Sequence, residues 1–138
     1  MIREETKELI HYRLERSKST LRAATLLHEQ EQNLDAINRA YYSCFYAVLA
    51  LLLLENHAAK SHSGIRTMFH KHWVLTERIP SQYGKVYNEL FDMRHEDDYD
   101  DFASITPELT SEMIAKAQDF INNLESIINT EISTNNEQ

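Results

Sequence analysis

Glycine and proline are nearly absent from the 138 residues: only Gly64, Gly84, Pro80 and Pro107 occur. A β-sandwich or barrel of this length needs a turn every few residues, so the scarcity argues for long helices. Cysteine occurs once, as Cys44, which excludes an internal disulfide. It falls inside an apolar run and reads as a small buried hydrophobe, in keeping with a reducing cytoplasm. The charged start, MIREETKELI, has none of the apolar stretch of a secretory signal. The longest apolar run covers residues 44–54, eleven residues, where a bilayer span needs about 20. We therefore expect a cytoplasmic protein with no membrane partner. Positive charge is also scarce, with 14 Lys and Arg against 22 Asp and Glu and a net charge of -8. That balance opposes non-specific attraction to phosphate. A nucleic-acid role would require a local basic patch or a basic partner.

What the chain does have is helical periodicity. Residues 3–31 carry Ile10, Leu14, Ser17, Leu21 and Ala24 at three- and four-residue steps, with charges on the other faces. Residues 34–56 start polar and become apolar on nearly all sides from Ala40 to Leu54. Such a helix has to be enclosed, either by its own bundle or by a second subunit. A third helix is expected near 63–73, capped by Ser61 or Ser63. A fourth is expected near 82–96, with Tyr83, Val86, Tyr87, Leu90 and Phe91 on its buried face. Thr106-Pro107 suits an N-cap and first helical position. The fifth helix then follows to about 131 through Ile114, Ala117, Ile121, Leu124 and Ile128. The expectation is an all-α, single-domain antiparallel bundle of about five helices over 1–132, with a disordered polar tail at 133–138.

Three segments then stand out. They are Ala40-Tyr41-Tyr42-Ser43-Cys44-Phe45-Tyr46-Ala47, Lys60-Ser61-His62-Ser63-Gly64-Ile65 and Arg94-His95-Glu96-Asp97-Asp98-Tyr99. In this order and spacing they resemble signature elements of the HEPN domain family, in its small stand-alone branch. The resemblance implies a HEPN-like bundle, a two-fold homodimer and a role near RNA or nucleotides. It implies a toxin–antitoxin or defence setting, with a minimal nucleotidyltransferase as a possible partner. It also places His62, Arg94, Asp98 and Tyr99 as candidate RNA- or nucleotide-binding residues.

Ribonucleases of that family carry an Arg, four to six residues, then a His. Metal-free RNA cleavage needs a base for the ribose hydroxyl and a cation for the phosphorane charge. Imidazole and guanidinium supply these. From Arg94 the His would fall at 99, 100 or 101, which hold Tyr99, Asp100 and Asp101. His95 is adjacent, so on a helix it points about 100° away from Arg94. Arg22–His28 and Arg66–His72 meet the bare spacing but lie elsewhere, and seven histidines make chance matches expected. Arg94 and Asp98 can instead pair one helical turn apart, with Tyr99 burying its ring beside them.

The main expectation is therefore a homodimeric module with weak or no intrinsic nuclease activity. One alternative is an active metal-independent ribonuclease, with Arg94 catalytic beside an atypical base, His95 or Tyr99. Another is a purely structural dimerisation partner. No cofactor is expected. The carboxylates at 96–101 lack a metal-ligand spacing, and His70 and His72 lie on different sides of a helix, so no metal site is expected.

Overall fold

The computed structural model describes residues 2–95 and 105–136. It contains α1 (Glu4–Glu29), α2 (Asn33–Leu53), α3 (His62–Phe69), α4 (Ser81–His95) and α5 (Pro107–Asn136). No strand occurs among the described residues. The all-α bundle expected from the periodicity is the fold observed.

The centre of the bundle is α2, which packs against all four other helices. By length and composition it could cross a membrane, but 61% of its apolar window is buried within the bundle. Its apolarity serves the core. Small residues at Ala40, Ser43, Ala47 and Ala50 line its buried side and admit α1 closely. Ser17 Oγ donates to the Ser43 carbonyl at 2.6 Å, and Ser43 Oγ to the Ala40 carbonyl at 2.7 Å. Both buried hydroxyls are thus satisfied, as burial demands. The expected stripe of α1, Ile10 to Ala24, is buried. Of the stripe expected on α5, Ala117, Ile121, Leu124 and Ile128 are fully enclosed and Ile114 is half-buried. Thr106 Oγ1 accepts from the Leu109 amide at 3.0 Å, which starts α5 at Pro107 as read from the sequence.

Two elements differ from the sequence reading. The third helix begins at His62, with Ser61 as its cap, and changes register at His70 into a π-helical turn, His70–Val74. The wider turn accompanies a fully buried Trp73 and a contact from His70 Nε2 to Asn88 Oδ1 on α4 at 3.0 Å. Helix α4 passes this turn closely at Gly84, where a Cβ would meet His70 and Val74 atoms at 3.0 Å. The other difference is the end of α5. It runs to Asn136, through residues 133–136 of the segment expected as a polar tail.

With so few glycines, the chain reverses by other means. Glu31, Asn56 and Glu77 adopt positive φ, at 61°, 57° and 62°. Each closes the same capping pattern. The amide of the next residue reaches back five positions, from Gln32 to Leu27, His57 to Leu52 and Arg78 to Trp73. The left-handed residue itself bonds three back, to His28, Leu53 and Val74. This is the Schellman arrangement, which usually employs glycine. Neither glycine of the chain has positive φ. A left-handed L-residue costs roughly 1–2 kcal/mol, and glycine's greater unfolded-state freedom returns part of that. Glu31→Gly and Glu77→Gly should therefore each stabilise the fold, by about 0.5–1 kcal/mol in urea unfolding. Destabilisation by both would show that these caps are not formed in solution.

Candidate functional site

Tyr41, on the third turn of α2, has no solvent exposure. Its ring is surrounded by Tyr42, Phe45, Tyr87 and Phe91. A phenol buried in this way needs a partner for its hydroxyl. The partner is His62, whose Nδ1 lies 2.8 Å from the Tyr41 oxygen. His62 is the first residue of α3 and owes its position to the cap before it, where Ser61 Oγ accepts from the Gly64 amide at 2.9 Å. Its imidazole stacks on Phe45 with 4.5 Å between centroids and meets Tyr42 edge-on at 5.5 Å.

Arg94 approaches the same tyrosine from the last turn of α4. Its guanidinium carbon lies 5.0 Å from the Tyr41 centroid and 5.3 Å from that of Phe91. Arg66 of α3 lies over Phe91 at 4.0 Å, with its charge 3.8 Å from Asp92. Two arginines and one imidazole thus converge around Tyr41 and Phe91 from α3 and α4. In a chain of net charge -8, this is a local cationic group.

Burial pushes the Tyr41 phenol above its ordinary pKa, opposed by the Tyr87 hydroxyl and the Arg94 charge. It is therefore an O–H group at neutral pH. In the tautomer where it donates to Nδ1, neutral His62 carries its proton on Nε2. In that tautomer the second ring nitrogen is an N–H donor. The Cys44 thiol is fully buried and pushed up in pKa, so it is a packing residue and not a nucleophile.

The structure brings together His62 and Arg94, two of the residues singled out from the sequence. His95 is the last residue of α4. Asp98 and Tyr99 lie outside the described residues, and so does the expected Arg94–Asp98 pair. The Arg66–His72 spacing match does not form a pair. Arg66 faces Phe91 and Asp92, while the His72 ring stacks on His57 at 3.9 Å. Two participants escaped the sequence reading: Tyr41 as the bridge and Arg66 as a further cation. Tyr41 was visible only as part of a resemblance. Its chemical signal, a tyrosine inside an apolar run, was available.

The outer side of α2 is less covered than the rest. Tyr42, Phe45, Tyr46, Leu49 and Leu53 form a half-buried row at helical spacing. Beside it on α1, Leu9 is 39% and Tyr12 54% exposed. Arg16 links the two helices by donating to both the Tyr12 and Tyr46 hydroxyls at 3.3 Å.

The chain matches the HEPN domain over residues 10–127. It belongs to the HEPN domain family. A UPF0332 protein of Thermotoga maritima is 34% identical over 124 residues, covering 90% of this chain and 94% of that one. Two proteins of Methanocaldococcus jannaschii are similar as well. "Putative toxin MJ0142" is 33% identical, with 79% of this chain and 74% of the relative covered. "Putative toxin MJ0605" is 37% identical, with 71% and 70% covered.

Tyr41→Phe removes the hydroxyl without changing the ring. It should cost about 1 kcal/mol of stability and alter the ring-nitrogen shifts of His62 in a nitrogen-15 NMR spectrum. Identical His62 shifts in wild type and variant would show that the bond is absent in solution.

Proposed function

We propose that this chain is a toxin-like HEPN module that works as a homodimer and contacts RNA phosphate through Arg94 and His62. The observation that carries the reading is the single buried ring of Tyr41, which holds His62 by its hydroxyl and Arg94 by its face. Guanidinium and imidazole are the groups that meet a phosphodiester without a metal. The names of the two archaeal relatives support the toxin–antitoxin setting. A nucleotidyltransferase encoded alongside is the kind of partner this setting provides. The half-buried aromatic row of α2, flanked by Leu9 and Tyr12, is the surface best suited to a second copy.

Turnover is weak or absent in this reading. No histidine stands at 99, 100 or 101 to complete the Arg-to-His spacing of active ribonucleases. A second reading has one specific observation in its favour: His62 shares the Tyr41 ring with Arg94. Here His62, in the other tautomer, donates its Nδ1–H to the Tyr41 oxygen and leaves Nε2 unprotonated, and it, not His95 or Tyr99, is the atypical base of an active enzyme.

Sedimentation should show a dimer at micromolar concentration, and Leu49→Asp should convert it to monomer. Fluorescence anisotropy with a labelled single-stranded RNA should show binding that weakens with salt. Arg94→Ala should lower that affinity roughly tenfold, about 1.4 kcal/mol. Rapid RNA cleavage lost in both Arg94→Ala and His62→Ala, with dimerisation intact, would promote the ribonuclease. An intact dimer that binds no RNA would leave only a structural dimerisation partner.

A further inference from the structure

Next to Arg94 lies a cavity of about 230 Å³, lined by Leu34, Asp35, Ile37, Asn38, Met93 and Arg94. It falls below the ~300–1,000 Å³ of pockets for drug-sized ligands, so it suits one ring system and not a whole nucleotide. Its walls are of two kinds. Leu34 and Met93 offer apolar and polarisable surface, with the fully buried Ile37 behind them, and such surface is what the face of a planar heterocycle packs against. Asp35, Asn38 and Arg94 offer one carboxylate, one amide and one guanidinium.

The amide is oriented before any ligand arrives. Arg39 Nη2 donates to Asn38 Oδ1 at 2.9 Å. An arginine can only donate, so the amide oxygen must face it and the Nδ2 donors turn away. Arg39 is held in turn over the Tyr42 ring at 4.9 Å. Asp35 and Asn38 are three residues apart on α2, hence neighbours on one helical face. Together they present an acceptor pair beside a donor.

We propose that this cavity is a subsite for a single nucleobase, with guanine preferred. The proposal rests on the reading that Arg94 contacts RNA phosphate, and it adds the base that neighbours that phosphate. Guanine alone among the four RNA bases shows two adjacent donors, N1–H and the 2-amino group, with an acceptor, O6, beside them. A carboxylate takes both donors and Asn38 Nδ2 gives to O6. Reading of an unstacked base on its Watson–Crick edge is the usual mode for single-stranded RNA. The charge of Asp35 argues in the same direction. A carboxylate beside a phosphate site opposes RNA binding in general, and only a base with donors to offer reverses the effect.

The test compares the pentaribonucleotides UUGUU, UUAUU, UUCUU and UUUUU, which have equal length and charge, by isothermal titration calorimetry at one ionic strength. UUGUU should bind about tenfold more tightly than the other three. Replacing its guanine by inosine, which lacks the 2-amino group, should lose several-fold of that advantage. Asp35→Asn should bring the ratio of UUGUU to UUUUU affinity close to one, while circular dichroism shows an unchanged fold. Equal binding of all four by wild type would overturn the base subsite and leave the phosphate reading standing. Guanine preference that survives Asp35→Asn would overturn the assignment of Asp35 and with it this cavity. Failure of all four to bind would overturn the phosphate reading itself, and the subsite with it.

Discussion

A tyrosine hydroxyl sealed inside a helical bundle has to be hydrogen-bonded, and much of this molecule's local structure follows from how that is done. Tyr41 is fully buried on the central helix. Leaving its hydroxyl unpaired would cost on the order of 1–3 kcal/mol. The bond to His62 removes that cost and ties the first residue of α3 to α2. The Ser61 cap then secures the first turn of α3. On the face of the same ring sits Arg94, whose charge gains roughly 0.5–2 kcal/mol from the aromatic quadrupole. One side chain therefore joins α2, α3 and α4, and it places an imidazole and a guanidinium in one neighbourhood.

The rest of the architecture gives that junction a stiff frame. Helix α2 is enclosed by four others, and short links with left-handed caps at Glu31, Asn56 and Glu77 connect the elements around it. The Glu77 cap is the most heavily braced. Arg78, the residue after it, lies over Trp73 at 3.6 Å and donates two hydrogen bonds to Glu55, at 3.1 and 2.9 Å. This clamp holds the π-helical turn against the end of α2. The Glu55 carboxyl is kept below its ordinary pKa chiefly by the Arg78 hydrogen bonds. The clamp is thus present at neutral pH and weakens in acid, as Glu55 takes up a proton. The strain of a non-glycine cap is tolerable where neighbouring contacts over-determine the turn.

Much of this was legible in the sequence, for identifiable reasons. The stripes of α1 and α5 were readable because burial on one face imposes three- and four-residue spacing. Thr106-Pro107 was readable because capping is local chemistry. The π-helical turn was not, since its altered hydrogen-bond register leaves no mark in composition. The choice between Ser61 and Ser63 could not be made, because either hydroxyl suits a cap. The end of α5 was placed too early because polar residues after Glu131 read as a tail, although Ile132 is still buried. Within the site, Arg94 and His62 were each visible, but only as separate parts of a resemblance. Their meeting at Tyr41 depends on contacts 21 residues apart or more, and no local pattern encodes such a distance.

The distribution of charge bears on what kind of binding this geometry supports. A net charge of -8 weakens attraction to any polyanion and slows electrostatically steered encounter. The basic groups near Tyr41 do not reverse that balance for the whole surface, and Asp92 already neutralises part of Arg66. The RNA affinity proposed above would then rest on a few short-range contacts. Contacts of that kind discriminate, because each depends on geometry and on a matching donor or acceptor. In the reading proposed above, the acidic bundle rejects most nucleic acid and its small cationic group holds a particular piece of it. On that proposal the selectivity has a use, since indiscriminate RNA binding would titrate the module onto abundant transcripts.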